Sequence, residues 1–186
     1  MSSVLVISGS PAPASRSERL AKTVAKRIGA RDVNASLLDV RDLPAEDLLF
    51  GRRAAPSIAN VIARVAEADG VVITTPIYKA AYSGLLKTFL DALPPSALRG
   101  KVVLPLAVGG SVAHVLAIDY ALRPVLSALD PLHVVDGLFL LDKQVTILEA
   151  GDVLLDPEID RRLDGVLDRF LRGLRRARGA HVESLV

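Results

Sequence analysis

Five strand-like aliphatic runs, Val4 to Ile7, Asn34 to Leu38, Gly70 to Thr75, Lys101 to Val108 and His133 to Leu141, recur along the chain with helical stretches between them. Several are continuous rather than alternating, the pattern of strands covered by helices on both faces. The intervening stretches carry the helical period. Ile58, Val61, Ile62, Val65 and Ala66 fall on one stripe, as do Ile159, Leu163, Val166, Leu167, Phe170, Leu171 and Leu174. Such alternation predicts an α/β fold, a doubly wound five-stranded parallel sheet with helices on both faces. The 186 residues suit a single domain over 1–186, large enough to bury roughly 70% of its unfolded surface. Pro44 to Pro56 is expected to be an irregular connection, and Glu183 to Val186 a tail.

Composition removes several classes of function. There is no Cys, hence no disulfide, thiolate metal site or cysteine nucleophile, and no His or carboxylate cluster has metal-ligand spacing. Formal net charge is only +2 and the cations are spread along the chain except for the stretch Arg172 to Arg178, which gives no reason to expect nucleic acid as a partner. No basic leader precedes an apolar run at the start, and no run has the length of a membrane span. A cytoplasmic location without a membrane partner is expected.

Right-handed crossovers leave two strand orders for such a sheet, flavodoxin-like and Rossmann-like, and in both the ligand sits beyond the carboxyl ends of the strands. Three of those exits are chemically unusual. The first, "SGSPAPASRS", enters a helix expected to begin near Ser17. Its unpaired N–H groups, the hydroxyls of Ser10, Ser15 and Ser17 and the Arg16 guanidinium suit a phosphate monoester. The same residues would serve equally well as a polar cap and a surface turn. With one glycine, the loop matches neither the dinucleotide fingerprint nor the Walker pattern.

The second exit, "TPIYKAAYSGLLK", places Pro76, Ile77 and Tyr78 directly after the third strand, where stiff backbone and an aromatic ring could meet a flat heterocycle. Tyr82 is expected to pack at the following helix. The third exit offers Gly109, Gly110 and Ser111, a turn whose N–H groups could face a ligand. Beyond it Ile118, Leu122, Val125, Leu126 and Leu129 have helical spacing, but Pro124 interrupts them. It removes the N–H that would bond to the Tyr120 carbonyl, so a kink or π-bulge is expected near Tyr120.

Together, "GSPAPASRS", "TPIYKAAYSGLLK" and "LAVGGSVAHVLAIDYALRPVLSAL" resemble the NAD(P)H-dependent FMN reductase family, most nearly the flavin reductase components of two-component alkanesulfonate monooxygenase systems. The resemblance runs from about Val4 to about Leu129. It implies a flavodoxin-like fold, FMN and NADPH as cofactors, and a homo-oligomer, dimer or tetramer, whose flavin site a neighbouring subunit completes. It further implies that Ser10, Ser15, Arg16 and Ser17 hold the FMN phosphate. Pro76, Ile77 and Tyr78 would meet the ribityl chain and isoalloxazine, and Gly109, Gly110 and Ser111 would line the ring's polar edge. Tyr120 matches a tyrosine that, in the alkanesulfonate-type reductases, marks a π-helix at the subunit interface and accompanies flavin used as an exchangeable substrate. Hydride passes from the nicotinamide to the flavin by stacking, which requires no catalytic side chain and no metal. Reduced FMN would then go to a partner flavin-dependent monooxygenase for alkanesulfonate desulfonation. An FMN-retaining quinone or azo-dye reductase is the nearest alternative; a flavodoxin-type electron carrier, acidic and aromatic-rich, fits this basic chain less well.

Overall fold

The computed structural model describes residues 2–149 and 151–183, with side chains described through 179. The parallel strands are β1 (Ser3–Ser8), β2 (Asn34–Asp39), β3 (Gly70–Tyr78) and β5 (Val102–Gly109), then a fifth in two pieces, β6 (His133–Val134) and β7 (Leu138–Leu141). β4 (Ala81–Tyr82) folds back antiparallel on the end of β3. Sheet order is β2-β1-β3-β5, with β6 and β7 both paired to the free edge of β5. Counted as parallel strands, this is 2-1-3-4-5, the flavodoxin-like order.

The continuous aliphatic runs are explained by two cores. Val4, Val6, Val72, Leu104 and Leu106 point to one face, where α1 (Arg16–Gly29) and α6 (Pro157–Glu183) cover them through Leu20, Val24, Leu163 and Phe170. Leu5, Ile7, Val71, Ile73 and Val103 point to the other, beneath α3 (Pro56–Glu67), α4 (Gly84–Ala92) and α5 (Arg123–Ser127). Alternate side chains of one strand thus serve different cores. Each fully buried Leu or Phe contributes about 1.5–3 kcal/mol.

The fifth strand departs from the expected single run, His133 to Leu141. Val135 donates to the Val103 carbonyl at 2.8 Å, so Pro105, two residues further along β5, faces the same edge without an N–H to give. The break at residues 135–137 lies opposite it. Gly137 closes the gap so tightly that a Cβ there would stand 2.6 Å from the Pro105 carbonyl oxygen.

Three further expectations need correction. β3 continues through Pro76, Ile77 and Tyr78 rather than ending at Thr75. A two-residue turn then leads to β4, with Lys79 and Ala80 at φ 50° and 65°, left-handed values typical of type I′ hairpins. Pro44 to Pro56 contains a short helix, α2 (Ala45–Leu49). After β7 the chain forms an unanticipated antiparallel hairpin, β8 (Val145–Ile147) and β9 (Val153–Leu155). Of the expected tail, Glu183 ends α6 and residues 184–186 lie outside those described. No helix among the described residues is long and apolar enough to cross a membrane.

Candidate active site

The loop after β1 is held in place before it can hold anything else. Gly9 donates to the Thr74 carbonyl at 2.8 Å and lies so close to α4 that a Cβ would stand 2.7 Å from Leu86 Cβ. Ser83, buried at the N-cap of α4, donates its hydroxyl to the Gly9 carbonyl, accepts from Leu86 N–H at 3.1 Å, and gives its own N–H to Thr75 Oγ1 at 3.1 Å. One serine therefore joins the ends of the first and third strands. Ala14 takes a left-handed φ of 55° to turn the chain into α1.

α1 begins at Arg16, one residue before the expected start, with Ser15 as N-cap. Ser15 Oγ lies 2.6 Å from Ser10 Oγ and 3.3 Å from Ser17 Oγ, and accepts from Glu18 N–H at 3.3 Å. The Arg19 N–H goes to the Ser15 carbonyl at 2.9 Å; the N–H groups of Arg16 and Ser17 precede the first intrahelical bonds and remain for a ligand. The buried Glu18 carboxylate is balanced by Lys22, by Arg19 at 3.5 Å and by Arg41 at 3.8 Å, so the helix end keeps a positive character. Arg16 spends one donor inside the protein, its Nε reaching the Val145 carbonyl at 3.0 Å.

A pocket of about 270 Å³ opens at the carboxyl ends of the strands. Ser15, Arg16 and Ser17 form one wall, Pro76, Ile77 and Tyr78 another, and Gly109 and Gly110 a third. Gly109 is a cradle position: a Cβ would stand 2.8 Å from the Phe139 ring and 3.3 Å from Ile77 Cβ. Tyr78 is 48% exposed and free to cover a ligand, whereas Tyr82 packs into the core and pairs with Ile77. Burial pushes the Tyr82 hydroxyl pKa up, Lys87 pulls it back in part, and Asp91 adds to the rise. These walls suit a phosphorylated flat heterocycle: hydroxyls, helix N–H groups and a guanidinium at one end, an aromatic ring and bare backbone at the other.

Not every expected residue lines this pocket. Ser10 is buried beneath it and supports Ser15, also bonding the Ala12 carbonyl at 3.1 Å. Ser111 instead caps a short 3₁₀ turn, Val112–His114, accepting from Ala113 N–H at 3.2 Å. Tyr120 lies outside the pocket, 78% exposed on a π-helical turn over Ile118–Leu122. That turn is the irregularity expected from Pro124. Four lining residues, Ala14, Val108, Asp142 and Ile147, were not anticipated. Asp142 is the first residue past β7, so the strand-exit rule reaches it once applied to the fifth strand; Ile147 comes from the hairpin, which gave no signal.

A larger cavity, about 750 Å³, lies at the opposite end of the strands beside Arg169, Arg172 and Arg176. Volume does not select the site here. The polar strand exits converge on the smaller pocket, at the end of the sheet where this topology binds ligands.

Residues 2–146 match the family model described as NADPH-dependent FMN reductase. The chain belongs to this family. It is 43% identical over 173 residues to the FMN reductase (NADPH) of Escherichia coli (strain K12), spanning 93% of this chain and 90% of that one. To the FMN reductase (NADPH) of Pseudomonas putida (strain KT2440) it is 45% identical over 168 residues, 90% and 85% of the two chains. Among solved structures, the apo form of an NADH:FMN oxidoreductase, EMOB, superposes with a TM-score of 0.83 at 40% identity, over 91% of this chain and 88% of that one. As a family member the protein is an oxidoreductase, an FMN reductase with FMN and NADPH as its cofactors.

Proposed function

We propose that this FMN reductase treats FMN as an exchangeable substrate, and that it supplies the reduced flavin to a flavin-dependent monooxygenase in the cytoplasm, for alkanesulfonate desulfonation. The observation that carries the reading is the meeting of Ser15 to Ser17, Pro76 to Tyr78 and Gly109 to Gly110 on one pocket. Ser15, Ser17, Arg16 and the α1 N–H groups would hold the phosphate, with Ser10 fixing Ser15. Tyr78 and Ile77 would lie against the ring, and the Gly109–Gly110 backbone would approach its polar edge. FMN, when bound, accepts the hydride; the chain's own part is to orient it, keep water from its face and leave room for the nicotinamide.

Exchange and assembly rest on Tyr120, on its π-helical turn, which matches the tyrosine of the alkanesulfonate-type reductases. Val112, Val115 and Leu116, shortly before it in the sequence, are exposed apolar residues as well, and such residues suit a contact with a second copy of the chain in a dimer or tetramer. NADPH consumption with and without added FMN tests the reading. Turnover that requires and saturates with added FMN is expected. Turnover by an already yellow protein, indifferent to added FMN and dependent on a quinone or azo dye, would replace it.

A further inference from the structure

Among the described residues, Asp142 is the one acidic side chain on the walls of the pocket, and Arg16 the one cationic side chain. Asp142 stands just past β7, beside Gly110, whose Cβ position is 3.4 Å from Asp142 Oδ2. The side chain is half-buried. Among the described residues its carboxylate makes no hydrogen bond and lies within 4.0 Å of no cation, Arg16 included.

We infer that Asp142 holds down the affinity of the pocket for FMN, and more so for the reduced flavin than for the oxidised one, so that product leaves. This rests on the function proposed above. A phosphate monoester brings about −1.5 to −2 charges at neutral pH, and two-electron reduction adds another when the ring nitrogen N1 is deprotonated. Asp142 and the Ser15 to Ser17 wall line the same pocket, and at physiological ionic strength the Debye length is about 8 Å. Repulsion from Asp142 is therefore felt by a phosphate held at that wall. Its sign does not depend on the pose; only a direct hydrogen bond from the flavin to the carboxylate could reverse it.

Asp142→Asn keeps the shape and removes the charge, and Asp142→Ala removes both. Flavin fluorescence titrations of the full chain with FMN, and separately with riboflavin, read the effect without turnover. Both variants are expected to bind oxidised FMN at least about three-fold more tightly than the wild type. Riboflavin affinity should stay unchanged, the FMN gain should shrink in high salt, and the midpoint potential of bound FMN should rise. An unchanged or weakened FMN affinity, or an equal gain for riboflavin, overturns the inference while leaving the proposed function standing. Wild-type protein that binds no FMN removes the proposed function, and the inference with it.

Discussion

Arg16 and Val145, 129 positions apart, are joined by a hydrogen bond of 3.0 Å from the arginine Nε to the valine carbonyl. The first residue of α1 is thereby tied to β8, while Arg16 also lines the pocket. Arg16→Ala should weaken FMN binding by about 1.5–3 kcal/mol, the range of a charge-assisted hydrogen bond. Arg16→Lys should recover part of that but not the contact with Val145, because the planar fork is lost. Fluorescence titration of both variants checks this; full affinity in Arg16→Ala would place the phosphate elsewhere.

Ser83 offers a test of how the strand exits are coupled. Its hydroxyl caps α4 and bonds the Gly9 carbonyl, while its N–H holds Thr75. Ser83→Ala should cost about 1–3 kcal/mol in stability, from the lost cap and an unpaired buried carbonyl. FMN affinity should fall too, though Ser83 is absent from the pocket wall. Urea unfolding and a flavin titration on one preparation separate the effects. Lost stability with intact affinity would mean that Gly9 and the phosphate loop do not depend on this anchor.

Most of the sheet was legible because β1, β3 and β5 are buried on both faces and advertise it as unbroken aliphatic runs. The break in the fifth strand was not, since its cause sits on the neighbouring strand, in the missing N–H of Pro105. β8 and β9, three residues each, are too short for any periodicity to register. At the site, helix-start chemistry announced Ser15, Arg16 and Ser17, and a proline inside a helical pattern announced the π-turn. Ser111 follows Gly110 directly, yet it is absent from the pocket wall and its hydroxyl accepts from the amide two residues on, Ala113, a local competition open to any serine at a loop-to-helix junction. Asp142 directly follows β7, so the strand-exit rule covers its position, but a single carboxylate belongs to no motif that sets it apart.

Lys101 makes the clearest pH-dependent contribution. Its largely buried ammonium donates to the carbonyls of Ala66 and Ala68, both at 2.7 Å. Burial lowers its pKa from the ordinary 10.5, with Asp69 opposing in part. Between that lowered folded value and 10.5 the unfolded chain holds more protons at this site, so stability from this group rises with pH across the window. Lys101→Met, which leaves both carbonyls without their donor, should be less stable by about 1–3 kcal/mol at neutral pH. The deficit relative to wild type should widen as alkaline pH crosses the window, measured by urea unfolding at each pH. A deficit that stays flat would mean the lysine titrates alike in both states.

Tyr120 tests the link between the π-turn and flavin exchange. At 78% exposed it adds little to the core, and the turn is fixed by other means: Ile118 and Leu122 are buried beneath it, and Tyr120 N–H bonds the Leu116 carbonyl at 2.9 Å. Tyr120→Ala should therefore change chain stability by no more than about 0.5 kcal/mol, as for other exposed positions. If the ring belongs to a contact between copies, the same substitution removes apolar surface from that contact. The assembly should become smaller by light scattering at micromolar concentration, or more flavin should remain with the purified protein. Unchanged size together with unchanged flavin content would reduce the π-turn to a local answer to Pro124, and flavin exchange would need another explanation, beginning with the charge on Asp142.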